Sequence, residues 1–474
     1  MLNIMKERGD VELINYGTIR ELKKRYENKE ISPVEVTKQM LDRIHQFKDL
    51  NAFITINEEQ ALRQAELSEK KYALGEQIGF LEGIPISYKD NLYTDGLRTT
   101  SGSHIDESFV PDVNAGAVEI LQSEGAVNLG KTNMHEFAFG ITSNNPFYGP
   151  AKNPWNPEYT PGGSSGGSGA AVAASLGVAS IGTDTGGSIR IPAAACGVVG
   201  LKATHDLIAS SGVKNISWTL DHVGPLVKNM DDLAVMMEAL TGEDYAGFLN
   251  EDIRGLRVGV PNNYLNEQMD EETAALYEKS LEQLKSLGAV LVEVDIPFTN
   301  DDLGLLTVLA VSEAGYVHDA YIDKPESRFG ADVGAVLKSS RDISALQYMQ
   351  ALKRKEEVQE QFEELFTKVD VIVSPVTPTS SQKIEVEEVT IHEQAEDIFS
   401  AMIRYPSVFN MTGQPALSIP LGFGANELPV GLHFAAASYC EPILMRAGFA
   451  YEQNFLKEFY AKRDQMLAAA PTLS

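Results

Sequence analysis

Two serines set in glycine turns, and one lysine closing an apolar run, are the residues of this chain whose types and spacing could do chemistry. The first turn reads Pro161-Gly162-Gly163-Ser164-Ser165-Gly166-Gly167-Ser168 and the second Gly182-Thr183-Asp184-Thr185-Gly186-Gly187-Ser188-Ile189-Arg190. The lysine is Lys89, directly after the segment Leu81 to Tyr88. A serine hydroxyl is a weak nucleophile and needs a base within hydrogen-bonding reach. Lysine can be that base only when neutral, and burial lowers its pKa toward that state. The glycines ahead of Ser188 let consecutive backbone N–H groups converge on one point, which suits an oxyanion. Together these parts describe acyl-transfer chemistry that needs no histidine.

Such parts must be held by a scaffold. Leu81 to Tyr88 reads as a buried strand that delivers Lys89 to its C-terminal edge, where open α/β sheets bind ligands. A lone lysine is ordinarily a surface residue, and a glycine-serine run is ordinarily a flexible linker. Here Gly169 to Leu176, a run of small apolar residues, follows at once and reads as a tightly packed helix. Strands are predicted at Ile84–Tyr88, Ala126–Gly130, Ala179–Gly182 and Val258–Pro261, with helices at Ala115–Ser123 and Asp231–Leu240 between them. Leu256–Val260, Glu271–Leu287 and Val290–Asp295 read as strand, helix, strand. The N-terminal region is helical at Thr18–Asn28, from Ser32-Pro33 onward, and at Ala61–Leu74. A charged amphipathic helix at Tyr348–Thr367 leads into a strand at Val369–Ser374. Alternating strands and helices predict an α/β fold, an α/β/α sandwich around a large mixed, mostly parallel sheet. The stretches 297–345 and 379–400 carry no chemistry of their own and are expected to shape the substrate entrance.

Other chemistries fit less well. Gly163-Ser164-Ser165-Gly166-Gly167 satisfies the G-x-S-x-G elbow of α/β-hydrolases, but a proline-rich loop precedes it where that motif needs a strand. The eight histidines are scattered without metal-ligand spacing, and no phosphate-binding glycine motif is present. His135 and His222 read as packed or hydrogen-bonded histidines rather than ligands or bases. No metal and no cofactor is therefore expected. The formal charge of −28 argues against a nucleic-acid surface or an anionic membrane. Two cysteines, Cys196 and Cys440, cannot make a disulfide framework, and Met1 to Glu7 has no apolar signal core. A cytoplasmic protein is expected.

With Lys89, Ser164 and Ser188 at this spacing, the chain resembles the amidase signature family. The likeness extends through Gly130-Lys131-Thr132-Asn133-Met134-His135-Glu136-Phe137, through Gly197-Val198-Val199-Gly200-Leu201-Lys202 and through Leu220-Asp221-His222-Val223-Gly224-Pro225. It weakens toward Gly413-Gln414-Pro415-Ala416 and Leu428-Pro429-Val430-Gly431-Leu432. The resemblance implies a single amidase domain over residues 1–474, with its catalytic core at about 85–225. It implies Ser188 as nucleophile, Lys89 as general base, and Ser164, after a cis Gly163–Ser164 bond, as the proton shuttle between them. Thr185, Gly186, Gly187 and Ser188 would offer backbone N–H groups to the oxyanion, while Ser165, Asp184 and Arg190 would hold the two loops together. The implied activity is hydrolysis of a linear carboxylic amide through an acyl-enzyme on Ser188. The alternatives are the glutamine-hydrolysing subunit of a tRNA-dependent amidotransferase and a non-catalytic binding member. Such subunits usually carry Tyr-Gly-Arg-Val-Ser after the Gly-Leu-Lys run, where this chain has Ala203-Thr204-His205-Asp206-Leu207. The expectation is accordingly a stand-alone enzyme, monomer or homodimer, acting on a small-molecule amide with no nucleic-acid or membrane partner.

Overall fold

A computed structural model of the protein describes residues 17–324 and 328–468; the segment Met1 to Glu7 lies outside them. Its strands are β1 (Phe53–Ile56), β2 (Pro85–Lys89), β3 (Val127–Thr132), β4 (Ala179–Asp184), β5 (Val199–Lys202), β6 (His222–Val227), β7 (Arg257–Pro261), β8 (Val290–Val294), β9 (Val371–Pro375), β10 (Glu388–Ile391), β11 (Gln394–Asp397), β12 (Ala416–Phe423) and β13 (Pro429–Ala436). Eleven of them form one sheet in the order β1-β3-β2-β4-β6-β5-β12-β13-β9-β7-β8, and β10 and β11 make a separate hairpin.

The sheet is mixed, as expected, but not mostly parallel. Four neighbour pairings are parallel, β3 with β2, β2 with β4, β9 with β7 and β7 with β8, and six are antiparallel. The strand-helix-strand pattern marks local units only. It is silent on the central strands β6, β5, β12 and β13, which pair with partners far away in sequence or across a hairpin.

Strand side chains alternate between two cores, as the pleat requires. Leu417, Ile419, Leu432, Phe434, Val371 and Val373 face one way and pack with Met236 and Leu444 from the helices Met230–Thr241 and Glu441–Phe455. Ala416, Ala435 and Ile372 face the other way, toward Leu309 of Asn300–Val317 and Phe362 of Ala345–Leu365. Helices thus cover both faces of the sheet. Near the N-terminus, Ser32 caps the helix Pro33–Gln46: its Oγ accepts the Glu35 N–H, the Glu35 carboxylate accepts the Ser32 N–H, and Pro33 opens the first turn.

Register gathers the chemistry at one edge. β2 and β4 are parallel, with Tyr88 opposite Ile181, so Lys89 and the turn after Asp184 emerge on the same side. β3 runs parallel to β2, with Thr132 opposite Lys89, and brings Asn133 to His135 there too. β6 is antiparallel to β4, with His222 opposite Asp184, so its approach through Leu220 and Asp221 reaches the same edge.

Candidate active site

Lys89 ends a strand buried along its whole length, and its side chain is fully buried. Its Nζ lies 2.7 Å from Ser164 Oγ and 2.8 Å from Thr183 Oγ1. Burial lowers its pKa from 10.5 to about 7, against the pull of Asp221 and then Asp184, whose charges raise it. An amine in that range is substantially neutral near neutral pH, the state a base requires.

The Gly163–Ser164 peptide bond is cis. Directly after it comes the helix Gly166–Ala173, small-residue and buried throughout, as its sequence predicts. Gly167 is required there, because a Cβ would stand 2.4 Å from the Asn133 carbonyl oxygen. The two serine turns meet through backbone: the Ser165 N–H donates to the Ser188 carbonyl at 3.3 Å. Ser165 Oγ donates to the Thr183 carbonyl at 3.1 Å, fastening the first turn to β4. No hydrogen bond joins the Ser188 and Ser164 hydroxyls among the described residues, so contact is drawn for one link of the expected relay, Lys89 to Ser164.

The second turn is organised by Asp184. Its Oδ1 accepts the Gly187 N–H at 2.8 Å, and its Oδ2 accepts the Ile189 N–H at 3.1 Å. Gly187 is thereby corrected as an oxyanion donor, since its N–H is already engaged by a carboxylate inside the turn. Its own requirement is conformational: φ is +128°, and a Cβ would lie 2.7 Å from Ile191 and Pro406 side-chain carbons. Thr185, Gly186 and Ser188 donate no backbone hydrogen bond among the described residues, and all three line the cavity beside the turn.

Arg190 grips Asp184 through Nε at 3.0 Å and a terminal nitrogen at 2.9 Å, with both side chains fully buried. Burial alone would push the Asp184 carboxyl up; the Arg190 charge and hydrogen bonds, with Asn410, hold it far below the usual carboxylate range instead. Arg190 also donates to the Pro406 carbonyl at 2.8 Å and to Asn410 Oδ1 at 2.7 Å, and lies 3.1 Å from His433 Nε2. Arg190 thus ties the second turn to C-terminal residues that the sequence does not announce. Asn410 and His433 stand more than 200 residues from Arg190 and carry no local signal. Thr183 was readable in principle, as a hydroxyl residue one position before Asp184 on a buried strand.

Neither the His135 ring nor the His222 ring is hydrogen-bonded to the Ser164 or Ser188 hydroxyl among the described residues. His222 Nδ1 lies 2.7 Å from the Leu220 carbonyl oxygen and its Nε2 3.1 Å from Lys202 Nζ; burial, then the Lys202 charge, lowers its pKa well below the ordinary value. His135 Nε2 pairs with Asp332 Oδ2 at 3.0 Å on the cavity wall.

Ser188 opens into a cavity of about 860 Å³. Its walls are largely apolar, with Phe139, Ile216, Leu306, Ala310, Val336 and Phe399 among them. Leu306 and Ala310 come from 297–345 and Phe399 from 379–400, so both stretches contribute to the cavity wall. No lysine or arginine lines it among the described residues. Among those residues, too, no group of three or more histidine, cysteine, aspartate or glutamate side chains is placed to hold a metal ion, and no helix is long and apolar enough to cross a membrane.

The chain belongs to the amidase family, whose model matches residues 35–445. Members of this family are amidohydrolases, and the protein is an enzyme of that class. One relative, a glutamyl-tRNA(Gln) amidotransferase subunit from Carboxydothermus hydrogenoformans, is 35% identical over 490 residues, covering 95% of this chain and 99% of the relative. Among solved structures, the corresponding subunit from Thermotoga maritima superposes with a TM-score of 0.75 at 29% identity, over 92% of this chain and 94% of its own. Native peptide amidase from Stenotrophomonas maltophilia gives 0.81 at 28% identity, over 93% and 97%.

These relatives overturn one expectation. A chain acting alone on a small amide, apart from nucleic acid and other subunits, is not what they point to, since relatives spanning nearly its full length are named as subunits of an amidotransferase of glutamyl-tRNA. A net charge of −28 belongs to this chain alone and does not describe the surface of an assembly built with other subunits.

Proposed function

We propose that the protein hydrolyses a carboxylic amide through an acyl-enzyme on Ser188. The observation that carries this is the buried Lys89–Ser164 contact at 2.7 Å beside the Ser188 turn. Neutral Lys89 takes the Ser164 hydroxyl proton as Ser164 takes that of Ser188, and Ser188 Oγ attacks the carbonyl carbon. The carbonyl electron pair moves to oxygen, facing the N–H groups of Thr185, Gly186 and Ser188. Collapse breaks the C–N bond, and the proton held by Lys89 returns through Ser164 to the departing amine. Water then cleaves the ester by the same relay. Free Cys196 and Cys440 suit a reducing compartment, which supports a cytoplasmic site.

The relatives favour glutamine as the amide and an assembly of several subunits as the setting, ahead of the stand-alone enzyme that the sequence alone suggested. One observation favours a second amide: the cavity is apolar and offers no lysine or arginine, among the described residues, to glutamine's α-carboxylate. Ammonia release from glutamine, compared with hydrolysis of a bulky apolar anilide, separates the two. Turnover of either that is lost in Ser188→Ala supports the reaction class and shows which amide fits. Turnover that survives Ser188→Ala overturns it.

A further inference from the structure

Asp221 reaches the second serine turn through Thr185. Its side chain is buried, and Oδ1 accepts the Thr185 hydroxyl at 2.6 Å. Oδ2 accepts the backbone N–H groups of Ile216 at 2.9 Å and Ser217 at 3.2 Å. Thr185 begins the turn that faces the oxyanion, and Ile216 is a wall of the cavity. One carboxylate therefore joins the turn to the wall of the cavity.

The charges around it are already allotted. Asp184 is matched by Arg190, and Lys202 is held by the Gln414 carbonyl at 2.6 Å and by His222. Glu313 is occupied by Ser217, Thr219 and Tyr348, and Lys214 pairs with Asp106 at 3.2 Å. Asp221 forms no ion pair within the described residues, and its oxygens meet only a hydroxyl and two amides. Burial pushes its carboxyl up to about 6, with Lys89 among the groups that pull it back down. Lys89 is reached from the same strand end, because its Nζ lies 2.8 Å from Thr183 Oγ1, two residues before the Thr185 that Asp221 holds.

Resting on the reaction proposed above, we infer that Asp221 is a positioning residue of the amidase: it fixes the Thr185 turn and supplies the counter-charge for the ammonium that Lys89 becomes during attack. In the ground state this charge holds the proton on Lys89 more tightly. In the acylation step it offsets that cost, because the proton arriving from Ser188 through Ser164 lands on an amine already within the field of a carboxylate.

The test is the pH dependence of Ser188 phosphonylation by a fluorophosphonate, which needs no knowledge of the natural amide. In Asp221→Asn the rate on the plateau should fall at least about tenfold. The limb set by Lys89 should move to lower pH by about one unit, because an amine relieved of a nearby carboxylate loses its proton more readily. Thr185→Val should lower the plateau about fivefold or more with the limb in place, since the carboxylate remains. A limb that stays put in Asp221→Asn overturns the role whatever happens to the plateau, because a purely structural loss does not move it. Should Asp221→Asn fail to fold, Thr185→Val decides: an unchanged plateau overturns the positioning role. Absence of Ser188 labelling in the unmutated protein would instead strike the reaction proposed above, and with it the inference.

Discussion

Lys89 shows at the scale of one residue how stability is exchanged for chemistry. Its pKa is lowered from 10.5 to about 7 by burial, so between those values the folded protein binds fewer protons than the unfolded chain. Stability then rises with pH across that window, and the cost of burying the amine is full below about pH 7 and fades toward 10.5. At about 1.4 kcal/mol per pKa unit the cost is several kcal/mol, offset in part by the hydrogen bonds to Ser164 and Thr183. Lys89→Met should abolish amide hydrolysis yet stabilise the fold by about 2 kcal/mol near neutral pH, after the two hydroxyls lose their partner. Thermal unfolding midpoints taken near pH 6, 8 and 10 check this. The variant's advantage should shrink as pH rises, and a gain that grows with pH contradicts the buried neutral amine.

At the scale of the element, the helix Gly166–Ala173 carries the first serine turn because its residues are small enough to lie against neighbouring backbone. Gly167 donates its N–H to the Asn133 carbonyl at 3.0 Å, and Asn133 belongs to the segment leaving β3. Glycine to alanine inside a helix usually stabilises by up to about 1 kcal/mol. Here the sign reverses, since a Cβ at 167 would stand 2.4 Å from one backbone atom of Asn133 and 2.5 Å from another. Gly167→Ala should therefore destabilise by about 1–3 kcal/mol and slow hydrolysis, as Ser164 moves away from Lys89. Gly304→Ala is the counterpart in Asn300–Val317: nothing lies within 4 Å of its Cβ, and it should stabilise by up to about 1 kcal/mol. Denaturant midpoints of the two variants should shift in opposite directions, and a common direction would contradict the packing account.

Across the whole molecule, the sequence was most readable where local pattern decides structure. Apolar runs at Ile84–Tyr88 and Ala179–Gly182 specify strands, a small-residue run specifies a packed helix, and glycine spacing specifies the two turns. Strand order was not readable, because pairing of β4 with β6 or β5 with β12 is settled by packing between distant segments. For the same reason Asn410 and His433, which complete the Arg190 network, left no trace near Arg190 in the chain. Gly187 misled in a different way: glycine marks a turn that can expose its N–H, yet it cannot reveal that Asp184 will accept it. Partners were the least legible, since composition reports on one surface and an assembly is made by several.

The most direct test of the central claim is the site of covalent capture. Incubation with a fluorophosphonate, followed by peptide mapping by mass spectrometry, should place a single adduct on Ser188. The adduct should be absent from Ser188→Ala and strongly slowed in Lys89→Met. An adduct on Ser164 or Ser165, or one that forms on Ser188 at an unchanged rate without Lys89, would contradict the account.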